Sequence, residues 1–275
     1  MEIGIFSRTY EVKDVRETFR RMKNHGIFHT QFNLANAGLD TFPTYINEDT
    51  IKEIKASADE YGIHIHAMSG TFNMINPDEE ARKKSCHQFS IQCQIAKKLG
   101  IPIVTLCTGS KNRKSQWKWH EDNSKQSSWD ELLRTTDTIL RYAEDNQIIL
   151  GVETEVSNII ATPELARKYL DTIDSPHLKI IMDGANLFRP EQVKDMCQVL
   201  QHAFGLLGKD IVLAHAKDLS LHEGVEFVAA GEGVLDFAYY IEQLRQIHYQ
   251  GTVIMHGLSE GQVPKSKQYL ETYIR

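Results

Sequence analysis

The 275-residue sequence predicts one α/β domain folded as a closed (β/α)8 barrel, the TIM barrel, and three observations lead to this fold. Eight short apolar runs recur along the chain, and each is followed by a stretch with helical periodicity. Alternating strands and helices indicate a parallel sheet. The spacing averages about 34 residues, the size of one βα unit, so eight units account for residues 1–275 without a second domain.

The predicted strands are apolar or β-branched runs at residues 2–6, 30–34, 64–68, 101–106, 148–153, 178–182, 211–214 and 252–255. The alternative arrangement, a doubly wound open sheet, normally carries a glycine-rich phosphate loop after its first strand. Here the turn after the first strand reads Ser7-Arg8-Thr9-Tyr10 and has no such glycines, so the closed barrel is preferred.

The predicted helices cover residues 12–25, 51–61, 79–99, 129–146, 163–172, 190–204, 237–248 and 264–274. Pro163, Pro190 and Pro264 stand in first turns, where the missing N–H of proline costs no helical hydrogen bond. Gly62 and Gly100 lie between a helix and the next strand, where a C-terminal cap is expected.

Composition excludes several classes of protein. Lys plus Arg number 31 against 37 for Asp plus Glu, and this net charge of −6 does not favour nucleic-acid binding. No apolar run approaches the ~20 residues that span a bilayer, and the first residues lack the pattern of a signal peptide. Four cysteines are too few for a disulfide framework. We therefore expect a cytoplasmic protein without membrane or nucleic-acid partners.

One connection, at about residues 107–128, is long and polar and follows the fourth strand. Loops of this length are uncommon in compact domains, which favours a lid or a binding loop over a tolerated insertion. It holds two candidate substrate-binding residues, Trp119 and His120. Two more candidates, His66 and Asn73, belong to the third strand and its loop, although a satisfied interior histidine is the commoner fate of a residue like His66.

Acids and imidazoles finish the last four predicted strands. Glu153, Asp183, His215 and His256 are separated by 30, 32 and 41 residues, roughly one βα unit each time. Residues at equivalent strand ends converge at the mouth of a barrel, where active sites lie. These donor types favour one divalent ion, with Mn²⁺, Zn²⁺ or Co²⁺ preferred over Mg²⁺. The alternative is that each residue is a hydrogen-bonded strand end.

Several segments resemble the xylose-isomerase-like barrel superfamily of sugar isomerases and epimerases. They are Gly151-Val152-Glu153, the run Asp183-Gly184-Ala185-Asn186, the motif His215-Ala216-Lys217-Asp218, and residues 230–237 (AGEGVLDF). The resemblance covers most of the chain. It implies a metal at the barrel mouth, bound by Glu, Asp, His and a final Glu, and proton transfer at a carbon beside a carbonyl.

The chain departs from this pattern at three positions. His256 replaces the glutamate of the eighth strand, and the nearest acid after it is Glu260. Asn186 stands where the pattern has a substrate-facing histidine, and it is kept as a substrate-binding candidate. Glu155 is an additional acid two residues beyond Glu153.

We expect a metal-dependent isomerase or epimerase of carbohydrate metabolism that acts on a keto sugar or related polyol. Glu153 is a ligand and base candidate, and the second proton carrier is Glu155, Lys217 or His256. Lys217 has two other readings, an electrophile for a substrate oxygen or a salt bridge to Asp218 or a nearby acid.

Three other functions remain open: a multi-zinc DNA-repair endonuclease of the same superfamily, a dehydratase or lyase acting on a cyclitol, and a non-catalytic sugar-binding barrel. The expected partner is a small-molecule sugar. A homo-oligomer, dimer or tetramer, is also left open.

Overall fold

The computed structural model describes residues 1–45, 47–222 and 224–274. Its strands are β1 (Glu2–Phe6), β2 (His29–Phe32), β3 (His64–Ser69), β4 (Ile103–Cys107), β5 (Ile149–Glu153), β6 (Leu178–Asp183), β7 (Ile211–Leu221), β8 (Val225–Ala229) and β9 (Thr252–Met255). All of these except β8 form one parallel barrel, which closes where β6 pairs with β7 and β9 pairs with β1. The predicted (β/α)8 barrel is confirmed.

The helices surround the barrel as α1 (Val15–Asn24), α2 (Glu48–Tyr61), α3 (Glu79–Leu99), α4 (Gln126–Asn146), α5 (Pro163–Ile173), α6 (Met196–Leu207), α7 (Phe237–Gln246) and α8 (Val263–Ile274). The helix predicted at residues 190–204 begins as a 3-10 helix, Pro190–Asp195, before α6. Gly62 and Gly100 end α2 and α3 in the left-handed conformation, as expected. In the three described stretches, no helix is long and apolar enough to cross a membrane.

An apolar layer lies inside the barrel. A buried cluster separate from the main core consists of Ala67, Ile103, Ile181, Leu213 and Ile254. Gly4 and Gly151 leave room for this layer, because an added Cβ would lie 2.7 Å from a side-chain atom of Ile254 or 2.8 Å from one of Ile181. The layer lies below the carboxyl ends of the strands.

The seventh strand is longer than the sequence predicts. The prediction ends it at residue 214, whereas β7 continues to Leu221 and pairs antiparallel with β8. Leu219 is fully buried and lies opposite Phe227 in this ribbon. The β7–β8 ribbon therefore extends beyond the barrel at the carboxyl ends of the strands.

Asp218 fastens the glycine-rich segment 230–237 to β7. Its carboxylate accepts hydrogen bonds from the backbone N–H groups of Leu219, Gly231, Gly233 and Leu235 at 2.8–3.0 Å. A Cβ at Gly233 would lie 2.2 Å from the Leu219 carbonyl oxygen, so the close approach requires glycine.

Replacing Asp218 by alanine is expected to destabilise the protein by about 3 kcal/mol or more, because several backbone donors lose their acceptor away from water. Urea unfolding measures this loss. The exposed Asp59→Ala on α2 is the matched control and should change stability little. Equal stabilities of the two variants would contradict the assigned role of Asp218.

Three histidines meet at the amino-terminal end of the barrel. His29, the first residue of β2, bonds through Nδ1 to Nε2 of His66 at 2.8 Å and stacks on His64, with ring centroids 5.3 Å apart. Glu2, the first residue of β1, lies 3.8 Å from His29. His66 was expected in the substrate pocket, but β3 continues three residues beyond it to Ser69, which leaves His66 near the start of its strand. It is a partly buried histidine that is held by His29.

This cluster predicts a loss of stability in acid. Burial, aided by His29 and His64, lowers the pKa of His66 to about 4 from 6.5. The stability contributed by neutral His66 is therefore complete above pH 6.5 and is lost as the pH falls through about 4, since the unfolded chain takes up the proton more readily. Urea unfolding should show a weaker dependence on pH for His66→Asn than for the wild type.

The exposed His87→Asn on α3 is the control and should retain the pH dependence of the wild type. If His66→Asn and the wild type lose stability equally between neutral and acidic pH, the role assigned to His66 fails.

Candidate metal centre

Three of the four predicted ligands meet at the carboxyl ends of β6, β7 and β9. Asp183 is the last residue of β6 and pairs in register with His215 of β7. His256 directly follows β9, and its backbone N–H donates to the Ala216 carbonyl oxygen of β7 at 3.2 Å. One ligand atom from each of Asp183, His215 and His256 lies within 4.8 Å of the other two.

The donor atoms of this triad are suited to a metal ion. His215 Nδ1 and His256 Nδ1 are buried without a hydrogen-bond partner in the described part of the chain, and Asp183 Oδ2 beside them is in an ion pair with Lys217 at 3.0 Å. Buried polar atoms nearly always have a partner, so two unpaired imidazole nitrogens next to a carboxylate fit the ligand set of a metal ion. One carboxylate oxygen and two imidazole nitrogens are donors that Zn²⁺ and similar transition metals accept. The triad therefore fits a divalent ion.

Glu153, the fourth predicted ligand, lies beside the triad rather than within it. Its Oε1 is 3.6 Å from His215 Nδ1, but its carboxylate is not part of the compact group. Asn186 Nδ2 donates a hydrogen bond to the same Oε1. Glu153 thus remains next to the candidate metal position, with one oxygen held by Asn186.

The orientation of His215 is set from β2. Its Nε2 lies 2.9 Å from Oε1 of Gln31, and because an amide oxygen only accepts, Nε2 carries the proton. That bond directs Nδ1 toward Asp183 and Glu153, as a partner on the far ring nitrogen does in known metal sites. Sequence reasoning missed Gln31, although a buried polar residue inside a barrel strand was a signal that could have found it.

Burial and neighbouring charges shift the pKa values of the three triad residues in different directions. Burial alone would lower the pKa of His215, but the carboxylates of Glu153 and Asp183 outweigh it and raise the pKa to about 9. Burial alone would raise the pKa of Asp183, but Lys217 and His215 hold it well below its ordinary value. Burial and then the charges of His215 and Lys217 lower the pKa of His256 to about 3. His256 is therefore neutral near pH 7, which is the form that binds metals.

Lys217 is buried among three partners. Its Nζ donates to Asn186 Oδ1 at 2.5 Å, lies 3.0 Å from Asp183 Oδ2, and sits 3.9 Å from the centre of the Phe227 ring. An ion pair was one of the roles predicted for Lys217, and the structure shows it with Asp183. Asp218 does not take part in this pair, since its carboxylate accepts hydrogen bonds from the glycine-rich segment.

Glu155 is buried and joins the connection after β5 to the neighbouring one after β4. Its Oε2 accepts from the Ser157 N–H at 3.1 Å and from Asn158 Nδ2 at 2.8 Å, and Asn158 also donates to the Gln116 carbonyl oxygen. Burial, followed by the nearby charge of Glu153, raises the pKa of Glu155 to about 7.

A cavity of about 430 Å³ opens beside the triad. This volume is within the range of ~300–1,000 Å³ that is usual for small-molecule sites. The polar residues lining it include Glu153, Glu155, Asn186, Lys217 and His256. Five of the residues predicted for the site thus share one cavity.

The other predicted substrate residues lie outside this cavity lining. Asn73 bonds the backbone of Ser110 through both ends of its amide, and His120 accepts the Asp122 N–H at 3.2 Å. Trp119 is 45% exposed and does not line the cavity, whereas Trp117 does. The long loop therefore contributes Trp117 to the cavity lining, and this is not the tryptophan predicted for the site.

Zinc affinity provides a direct test of the triad. We expect Asp183→Asn to reduce Zn²⁺ affinity more than 100-fold because it removes a charged ligand, and Gln31→Leu to reduce it by about 10–100-fold because it frees the His215 ring. Competition with a fluorescent zinc chelator measures both effects.

The matched controls are Asp59→Asn on α2 and Gln201→Leu on α6, both exposed. They should bind Zn²⁺ like the wild type. Wild-type affinity in Asp183→Asn would show that the ion is held elsewhere.

Comparison with known proteins gives two curated relatives at 25% identity. A D-psicose 3-epimerase from Enterocloster bolteae is 25% identical over 218 residues, which cover 77% of this chain and 67% of that protein. An uncharacterised Methanocaldococcus jannaschii protein, MJ1311, is 25% identical over 235 residues, covering 84% of this chain and 76% of the relative.

Among solved structures, a D-tagatose 3-epimerase-like protein superposes with a TM-score of 0.78 at 20% identity, covering 100% of this chain and 97% of the other. At that identity the likeness establishes the fold. The family model described as the xylose isomerase-like TIM barrel matches residues 19–273. The chain therefore belongs to the xylose isomerase-like TIM barrel family.

Proposed function

We propose that this chain is a divalent-metal-dependent isomerase or epimerase that acts on a keto sugar or a related polyol. The observation that carries the proposal is the triad of Asp183, His215 and His256, in which the Nδ1 atoms of both histidines are buried and unpaired, beside the carboxylate of Glu153 and the cavity at the barrel mouth. The similarity to a protein named D-psicose 3-epimerase supports the same class of reaction.

Glu153 is assigned as the base. It lines the cavity, and the hydrogen bond from Asn186 fixes the direction of its carboxylate. Glu153 takes the proton from the carbon next to the carbonyl, and the electron pair of the broken C–H bond moves toward the carbonyl oxygen to give an enediolate. A bound divalent ion would supply the Lewis acidity that stabilises the developing oxygen charge.

Glu155 is assigned as the second proton carrier. Three residues were candidates for this role: Glu155, Lys217 and His256. Lys217 is bound to Asp183 and Asn186, and His256 belongs to the triad, so Glu155 is the candidate that remains. It lines the same cavity as Glu153. Return of the proton to the same carbon from the other side epimerises the sugar, and return to the neighbouring carbon isomerises it.

Exchange with heavy water tests the proposal. NMR in deuterated water with D-fructose, D-psicose and D-tagatose should show deuterium entering the carbon beside the carbonyl. We expect Glu153→Gln to slow this exchange by about 10²–10⁴-fold, the range usual for loss of a general base. Glu226→Gln, the same change on the exposed face of β8, is the control and should exchange normally.

The same spectra separate the other functions. If a cyclitol loses water and no ketose takes up deuterium, the protein is a dehydratase or lyase and not an isomerase. His256, which stands where the family pattern has a glutamate, is compatible with that function. Full exchange in Glu153→Gln would refute the assignment of the base. Binding without any reaction would indicate a sugar-binding barrel.

A further inference from the structure

A buried amide joins the proposed proton carrier Glu155 to the long loop after β4. Asn158, in the connection after β5, is inaccessible to solvent. Its Oδ1 accepts the Gly109 N–H at 2.6 Å, and its Nδ2 donates to the Gln116 carbonyl oxygen at 3.0 Å and to Glu155 Oε2 at 2.8 Å. One side chain therefore contacts the loop at two points and also the carboxylate of Glu155.

The three partners of Asn158 allow its amide a single orientation. A backbone N–H only donates, so the amide atom next to Gly109 is the oxygen. A carbonyl oxygen and a carboxylate oxygen accept, so the amide nitrogen is turned to Gln116 and Glu155. Rotation of the amide by half a turn would place donor against donor and acceptor against acceptor. Because such losses are costly away from water, Asn158 is held in this orientation.

The amide also determines which oxygen of Glu155 is held. Oε2 accepts from Asn158 and, at 3.1 Å, from the Ser157 N–H. Both of these bonds end on Oε2, which leaves Oε1 for a proton. Glu155 lines the cavity at the barrel mouth, whereas Asn158 is outside the lining. Asn158 therefore acts on a ligand through the side chain that it holds.

The loop after β4 is bound to the same amide. Trp117 directly follows Gln116 in the chain and lines the cavity together with Glu155. Asn158 thus sets the position of the loop and the position of the acid relative to each other. A displacement of the loop at Gln116 would reach Glu155 through one side chain.

We propose that Asn158 is a positioning residue for the return of the proton, and this inference rests on the proposed function, in which Glu155 is the second proton carrier. With Oε2 held by Asn158, the proton leaves Glu155 from Oε1. The electron pair of the enediolate C=C bond takes up this proton to form the new C–H bond, the carbonyl forms again, and Glu155 is left as a carboxylate. Misplacement of a reacting group by an ångström costs about 100-fold in rate.

The ratio of two rates in one sample tests the proposal. In deuterated water, Glu153 exchanges its proton with solvent and returns deuterium to unchanged substrate, whereas a new sugar needs the proton from Glu155. Asn158→Asp keeps the acceptor for Gly109 but turns an oxygen toward Gln116 and Glu155.

NMR with D-fructose, D-psicose and D-tagatose measures both rates. We expect Asn158→Asp to form new sugar about 10–100-fold more slowly, while deuterium enters unchanged substrate at close to the wild-type rate. The ratio of the two rates does not depend on the fraction of folded protein, so destabilisation alone does not change it. Asn158→Ala, which adds no buried charge, should change the ratio in the same direction.

Asn123 is the matched control, because its hydrogen bonds join the same two connections but do not include Glu155. It is 4% exposed, its Oδ1 accepts the Lys111 N–H at 2.8 Å, and its Nδ2 donates to the Ser157 carbonyl oxygen at 3.1 Å. Asn123→Asp and Asn123→Ala should keep the wild-type ratio. In a Glu155→Gln background, Asn158→Asp should slow the formation of new sugar little further, since residues that act through one another are not additive.

The proposal is overturned if both Asn158 variants keep the wild-type ratio, if the Asn123 variants change it equally, or if Asn158→Asp has its full effect in the Glu155→Gln background. In these cases the wild type still reacts, so the proposed function stands. Deuterium entry without any new sugar in the wild type would refute Glu155 as the proton carrier and Asn158 as its positioning residue. A wild type that shows neither rate would refute the proposed function itself, and the role of Asn158 with it.

Discussion

The arrangement of the barrel mouth depends on one fully buried carboxylate. Asp183 is inaccessible to solvent, and a buried charge is costly unless other charges or donors compensate it. Lys217 lies 3.0 Å from its Oδ2, and His215 lies opposite it in the strand pairing. The surrounding side chains are ordered by the same requirement: Asn186 links Lys217 to Glu153, and Gln31 holds the far side of His215.

Two elements outside the regular barrel turn this charged group into a binding site. The β7–β8 ribbon carries Phe227 over Lys217, and Asp218 fastens the segment that returns the chain to α7. On the other side, Asn158 joins the connection after β5 to the long loop after β4. The barrel thus supplies the acidic, imidazole and ammonium groups, while the ribbon and the loop supply Phe227 and Trp117 to the lining of the same cavity.

The sequence predicts the barrel and part of the site because both follow from spacing. Strand ends recur at about the length of one βα unit, so Asp183, His215 and His256 could be placed together before any coordinates. What spacing does not contain is side-chain direction. The sequence does not distinguish Trp117 from Trp119 as a residue of the substrate site. The fold of the loop decides it, because Trp117 lines the cavity and Trp119 does not. His66 was a substrate-pocket candidate with an interior role as the alternative, and its bond to His29 is a contact between strands, which spacing along the chain does not contain.

The proposed chemistry depends most on one ion being held by Asp183, His215 and His256. The direct measurement is a crystal structure of the protein with Zn²⁺, using anomalous scattering at the zinc absorption edge. We predict one strong peak at the barrel mouth, about 2.0–2.2 Å from an oxygen of Asp183 and from a ring nitrogen of each histidine. No peak there, or a peak at the histidine cluster at the amino-terminal end instead, would contradict it.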